Sequence, residues 1–364
     1  MAVDTMTTQK VLMCGNEVLA EAAVRAGCRC YFGYPITPQN EISAYMSKRM
    51  PEIGGVFIQA ESELAAINMV FGASAVGVRA MTSSSSPGVS LKQEGISYIA
   101  GAELPAVIVN VMRGGPGLGN IGPAQSDYFQ AVKGGGHGDY HQIVLAPYSA
   151  QEVSDITFLS FDLADQYRMP VMILTDGVIG QMMEPAVIEK KEVRNLLPKD
   201  WALTGCRGRK PNVVKSLYLG DKVLERHNLK LQERYRQVAA HEVRYDAYHL
   251  DDAELIVVAY GICARLCKSA MNDLRAKGMR IGMIRPVTLW PFPSRIISQV
   301  AGTGKSFLTV EMSFGQMVED VRLAVNGKSG VHFYGRGGGE MLTREEVLKE
   351  MERLYAQLRG GKNV

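Results

Sequence analysis

Three short stretches hold the residue types that chemistry would use. The first is "YFGYPITPQNE", Tyr31 to Glu41, in which Pro35 and Pro38 flank Ile36 and Thr37. Proline fixes φ and removes a backbone donor, so the residues between are held extended and the Thr37 hydroxyl becomes rigid. A local use competes with substrate contact: Thr37 would cap the helix "PQNEISAYMSKRM", with Pro38 at its first position. The second stretch is "QAESE", with Glu61 and Glu63, followed by the almost uncharged "LAAINMVFGASAVG". That run predicts a helix buried nearly all round. A carboxyl group at its mouth would hydrogen-bond a heterocyclic nitrogen of a cofactor and share its proton, or else serve as a first-turn acid favoured by the helix dipole. The third is "VMRGGPGLGNIG", opening with Arg113. Its planar fork suits a carboxylate bound through two hydrogen bonds, and the glycines behind it let a ligand approach the backbone. An internal salt bridge to Glu61 or Asp127 is the plain alternative.

Other motifs promise less. "GLGNIG", Gly117 to Gly122, satisfies Gly-x-Gly-x-x-Gly. A dinucleotide-binding turn joins strand directly to helix, whereas here Gly114, Gly115 and Pro116 intervene and the next helical candidate is short. His137 and His141 lack partners at ligand spacing and read as loop or interface residues. The six cysteines, at 14, 28, 30, 206, 263 and 267, form no Cys-x-x-Cys pair. No metal or iron–sulfur cluster is expected on the chain, and the usage fits a reducing cytoplasm.

These residues need elements that converge. From Val11 onward, short apolar runs such as "CRCYFGY", "GGVFIQA", "RAMTSS", "PAVIVNVMR" and "PVMILTD" alternate with helical periodicity, including "NEVLAEAAVRAG" stopped by Gly27. Strands apolar on both faces and separated by helices predict a parallel sheet covered on both sides. The candidate residues follow strand ends, the edge where ligands bind an open parallel sheet. "TSSSSPG", Thr82 to Gly88, reads as another strand-to-helix turn there, presenting hydroxyls and helix N-terminal amides. The pattern lapses after Pro185 and resumes at "AELIVVAYG", where a second α/β domain begins.

Between these regions, Glu189 to Asp246 carries fourteen basic residues against eight acidic, the source of the whole chain's net charge of +3. Without aromatic platforms or a phosphate-binding fold this reads as a solvated arm or an acidic partner's contact, and no nucleic acid is expected. The longest uncharged run, Leu64 to Val78, is 15 residues, too short to span a bilayer, and the N-terminus lacks signal-peptide features. A soluble, cytoplasmic protein with no membrane contact is therefore expected. With 46% hydrophobic and 21% charged residues over 364 positions, two globular domains are natural.

In this order, "YPITP" at 34 to 38, "ESELAAINMVFGAS" from 61 and "MRGGPGLG" from 112 resemble the α subunit of the 2-oxoacid:ferredoxin oxidoreductases, which use thiamine diphosphate. "IRPVTLWPFP", 284 to 293, is similar to that family's second, transketolase-C-terminal-like domain. The stretch from "GGPGLGNIG" to "HQIVLAP" looks most like its branched-chain (2-oxoisovalerate) branch, with 2-oxoglutarate next. The resemblance implies two doubly wound α/β domains: a thiamine-diphosphate pyrimidine-type domain over 8–188, a basic connecting arm over 189–250, and a transketolase-C-terminal-like domain over 251–360.

It also implies roles. Glu63 would contact N1′ of the aminopyrimidine and so support removal of the thiazolium C2 proton. Pro35, Ile36 and Ser86 would flank the cofactor, while Thr37, Arg113 and Tyr34 would bind the 2-oxoacid. Thiamine diphosphate enzymes also need a Gly-Asp-Gly with a later asparagine for Mg²⁺ and the diphosphate, and neither occurs here; "TDG" at 175–177 lacks the leading glycine. A β subunit would supply that half, and γ and ferredoxin-like δ subunits the iron–sulfur clusters. The complex would convert a 2-oxoacid, coenzyme A and oxidised ferredoxin into acyl-CoA, CO₂ and reduced ferredoxin. Competing functions are an NAD-linked dehydrogenase using "GLGNIG" and a non-catalytic assembly subunit.

Overall fold

In the computed structural model, residues 10–189 and 197–360 are described. Residues 8 and 9, where the first domain was expected to begin, and 190–196 of the arm lie outside them. The chain opens with β1 (Val11–Cys14), α1 (Gly15–Arg25), β2 (Cys30–Gly33), α2 (Asn40–Glu52), β3 (Val56–Gln59), α3 (Glu63–Ala75), β4 (Ala80–Ser84), α4 (Ser86–Gly101) and β5 (Ala106–Met112). It continues through α5 (Tyr128–Val132), β6 (Ile143–Leu145), α6 (Ala150–Tyr167), β7 (Pro170–Asp176), α7 (Gly177–Gln181) and β8 (Met183–Ala186). After α8 (Val223–His241) come β9 (Tyr245–Tyr248), β10 (Leu255–Val258), α9 (Gly261–Ala276), β11 (Ile281–Pro286) and β12 (Thr288–Trp290). Last are α10 (Ser294–Ala301), β13 (Ser306–Glu311), α11 (Met317–Val325), β14 (Val331–Gly335) and α12 (Arg344–Gly360).

The first large sheet has the order β12-β6-β7-β5-β4-β2-β3 and is parallel apart from β12. Side chains alternate across its strands, so Val107, Val109 and Val111 of β5 join one core with α1, α2 and α6. Ile108 and Met112 join the other, with α3 and α4. Burial on both faces is why these strands are apolar throughout. Gly27 ends α1 at φ +86°, a conformation glycine adopts at little cost.

The second sheet, β14-β13-β10-β11-β9, repeats the plan. Leu255 and Val257 face α9 and α12, while Ile256 and Val258 face α10 and α11. The two sheets exchange edge strands. β9, at the end of the expected arm, pairs antiparallel with β11, and β12, from the later part of the chain, pairs with β6. Within the arm, α8 lies against the first domain, where Lys230 and Arg234 both bind Glu103. His141 stacks on Trp290 with ring centroids 4.5 Å apart, an interface role as expected from its sequence context.

One helix departs from expectation. α3 carries no charge after Glu63 yet is not buried all round: Leu64 is 46% exposed, and the adjoining Val76 is 45% exposed. Gly72 between them is also exposed. The opposite face, Ala66, Ile67 and Val70, packs in the core. Uniform apolarity records what a helix can bury, not what its own chain supplies to cover it.

Candidate active site

Four neighbouring parallel strands, β5, β4, β2 and β3, end at the same edge of the first sheet. Each hands over to a segment that turns into one cleft of about 480 Å³. Tyr34, Pro35, Ile36 and Thr37 line it after β2, Glu63 after β3, Gly88 after β4 and Arg113 after β5. Glu61 is exposed and takes no part.

The threonine loop is braced from beneath. Asn16 donates to the Pro38 carbonyl and to Glu41, each at 2.8 Å. Gln39, wholly buried, donates to the Tyr34 carbonyl at 3.1 Å and accepts from Ser83. Neither brace stood out in the sequence, because each is a polar residue whose partner lies on another element. The helix starts at Asn40 with Gln39 as its cap residue, so the capping role for Thr37 and the first-position role for Pro38 do not hold. Instead the Thr37 hydroxyl accepts from the Asn40 side-chain Nδ2 at 3.3 Å, leaving its own hydrogen to donate.

Glu63 is the first residue of α3, with Ser62 as the cap: its hydroxyl accepts from Ala65 N at 3.2 Å. The helix position accounts for its charge but not for its side chain, which is 6% exposed and has no hydrogen-bond partner among the described residues. The carboxyl rests against Gly88, where a Cβ would sit 2.5 Å from Oε1. Such contact demands glycine. Below it on α4 lies Lys92, fully buried, which composition and periodicity did not single out.

Arg113 is 7% exposed and forms no ion pair among the described residues. Its two terminal nitrogens donate to the carbonyls of Thr37 and Leu118, both at 3.0 Å, and its Nε is without a partner. The salt bridge to Glu61 or Asp127 is absent. Asp127 instead accepts from Ser86 at 2.6 Å and Asn110 at 2.9 Å, and burial raises its pKa. Ser86 does not line the cleft; its hydroxyl accepts from the Arg113 backbone N–H at 3.0 Å, fixing where the arginine leaves the strand.

The glycine motif makes no dinucleotide turn. Residues 113–123 fold back on themselves, with Gly114 N donating to Gly122 O at 2.8 Å and Arg113 bridged to Pro123. No helix begins there until the five-residue α5. The loop packs instead on the second domain, where Asn120 donates to the Gly338 carbonyl at 2.8 Å.

The cleft thus offers a buried acceptor without a donor on one side and a cation without an anion on the other. That pair suits a heterocycle next to a carboxylate. Among the described residues no cluster of three or more His, Cys, Asp or Glu could hold a metal, and no helix is long and apolar enough to cross a membrane.

Residues 21–247 match the family model of pyruvate flavodoxin/ferredoxin oxidoreductase, thiamine diphosphate-binding, and residues 253–347 match core domain II of pyruvate:ferredoxin oxidoreductase. The chain is 52% identical to ketoisovalerate oxidoreductase subunit VorB of Methanothermobacter marburgensis, over 97% of this chain and 99% of that one. It is 33% identical to 2-oxoglutarate synthase subunit KorA of Methanocaldococcus jannaschii, over 92% and 97%. Among solved structures it is similar to 2-oxoglutarate:ferredoxin oxidoreductase from Magnetococcus marinus with 2-oxoglutarate, coenzyme A and succinyl-CoA bound, with a TM-score of 0.83 and 26% identity. That match covers 95% of this chain and 65% of the solved one. A split-gene transketolase, 13% identical with a TM-score of 0.56, shares the fold.

Proposed function

We infer, because this chain belongs to the 2-oxoacid:ferredoxin oxidoreductase family, that it is the α subunit and contributes the pyrimidine half of a thiamine diphosphate site acting on a branched-chain 2-oxoacid. The observation that carries this reading is one cleft lined by the Glu63 carboxyl and by Arg113, neither of which has an ion-pair partner among the described residues. Thiamine diphosphate supplies the electron sink for loss of CO₂.

The chain's own residues bind and orient. Glu63, screened from water, exchanges a proton with the pyrimidine nitrogen. Arg113 and the Thr37 hydroxyl take the substrate carboxylate, with Tyr34 beside them, and the braced proline loop holds that geometry before substrate arrives. Pro35 and Ile36 form the wall against the ring. Ser86 acts one step away, through the Arg113 backbone.

A partner β subunit holds the diphosphate and Mg²⁺, a need supported by the missing Gly-Asp-Gly motif and by the uncovered Leu64 and Val76 at the two ends of α3. Further γ and δ subunits carry iron–sulfur clusters and pass electrons to ferredoxin, coenzyme A receives the acyl group, and the assembly works in the cytoplasm. The branched-chain preference rests on the ketoisovalerate relative, about half identical along its entire length.

The test is a 2-oxoacid panel with a viologen acceptor on the purified complex. 2-Oxoisovalerate should give the highest kcat/KM; a preference for 2-oxoglutarate overturns the substrate assignment. Glu63→Gln should lower turnover by about 10²–10⁴-fold while the complex still assembles. Near-normal turnover would mean that the chain only scaffolds the enzyme.

A further inference from the structure

Lys92 is the buried titratable group that the site's chemistry leaves without a task. It has no exposure to solvent, and its ammonium makes one hydrogen bond, 3.0 Å to the Ser83 carbonyl. Among the described residues no carboxylate hydrogen-bonds to it or pairs with it. A lysine so placed costs folding free energy, and structural roles for it are hard to find.

Its position suggests one. Gly88 and Lys92 are one turn apart on α4 and share a face. At the Gly88 end of that face sits the Glu63 carboxyl: a Cβ on Gly88 would lie 2.5 Å from Glu63 Oε1 and 2.2 Å from Ser84 Oγ. At the other end Lys92 reaches Ser83, the next residue back along β4. The carboxyl and the ammonium therefore occupy the two ends of one short stack inside the wall of the cleft.

We propose that Lys92 is a positioning residue for Glu63, its buried ammonium keeping that carboxyl ionised in apolar surroundings so that the proton shared with a pyrimidine nitrogen resides on the nitrogen. No proton is gained or lost; one proton changes its preferred seat. The catalytic meaning rests on the reading of Glu63 above, whereas the pairing itself does not.

Among the described residues, Glu63 is the one charge acting on the lysine. From α3 it faces Glu63; from β4 it faces the neutral Ser83 and Ser84. Tyr31 and Gln39, behind Ser83, are hydrogen-bonded to it and uncharged. Glu94, on α4 itself, is exposed and bound to Tyr98 at 2.7 Å. Burial pushes the ammonium down to about 7, opposed by Glu63 alone. Its charge is present below that pH and lost above it, so turnover that depends on it falls as pH rises through neutrality.

Lys92→Met, close in shape and uncharged, tests this in the full chain and in the complex. Infrared difference spectra against the matching Glu63→Gln chains at pH 6 should give an ionised carboxylate at Glu63 with lysine present and a carboxylic acid with methionine. In the complex, kcat should fall by about tenfold or more with the oxoacid KM unchanged, and the decline above neutral pH should vanish. An ionised Glu63 in both chains, or an unaltered pH profile, overturns the proposal. Should methionine prevent folding, Lys92→Gln provides the same readouts. If the infrared change occurs while Glu63→Gln retains full turnover, the pairing stands and the cofactor role of Glu63 fails.

Discussion

Two pairs of buried charges set the cleft against the second domain and its seam with the first. Arg285, 2% exposed, donates to both oxygens of Glu152, at 2.6 and 2.8 Å, and to Asp246 at 2.6 Å. Arg113, nearly as buried, meets only carbonyls and keeps an unpaired Nε. Glu311, with no exposure, accepts four hydrogen bonds, from the backbone of Gln316, Met317 and Val318 and from the Ser313 hydroxyl. Glu63 accepts none. Burial alone does not mark a functional residue. A charge whose partners are complete is serving the fold, and one left incomplete in a cleft is waiting for a ligand.

Substitutions at the two regions should therefore separate activity from stability. The largest effect is at Glu63: Glu63→Gln should lower kcat by about 10²–10⁴-fold, measured as viologen reduction by the complex, with the complex still folded. Arg285→Ala reverses the pattern. It strands Glu152 and Asp246 and should cost about 3–5 kcal/mol in denaturant unfolding, while the folded fraction keeps its oxoacid KM. Arg113→Ala should raise that KM about 10–100-fold at little cost in stability, since no buried anion loses its partner. If Arg113→Ala behaved like Arg285→Ala, the distinction between region types would be lost.

Asp176 sharpens the seam side through pH. Its carboxyl caps α7 through Val178 and Ile179 and accepts from Ile262 N at 3.4 Å across the domains. Burial raises it to about 6. A folded value above the unfolded one means that the folded state holds the extra proton. Stability should therefore fall as pH rises from about 4 to about 6, by at most about 1.4 kcal/mol per pH unit, and then level off. Asp176→Asn should flatten that window in urea unfolding followed by circular dichroism. The smallest effect is expected at Asn120, where the arginine loop meets the second domain: Asn120→Ala should raise the oxoacid KM by only a few-fold, about 1 kcal/mol.

Much of this was written locally. Alternating apolar runs, Gly27 as a stop and prolines around Thr37 depend on a few adjacent residues, so strand order along the chain and the three cleft-lining stretches were readable. The family motifs added roles to those same residues. What misled was anything requiring a neighbour from elsewhere. α3 looked buried all round because apolarity is a property of its residues, while its cover is not. Thr37 looked like a cap because spacing permits one, until the braces from Asn16 and Gln39 set where the helix starts.

The sequence by itself determined the periodicities, and hence two layered α/β domains, and put a hydroxyl, a carboxyl and a guanidinium at strand ends. Only tertiary structure decided which charges found partners: Arg285 and Glu311 did, Arg113 and Glu63 did not, and Lys92 came to lie beneath the carboxyl. The reason is physical. Periodicity is fixed by bonds along the chain, whereas pairing depends on distances of a few ångströms between residues tens of positions apart, which exist only once the sheet has brought its edges together.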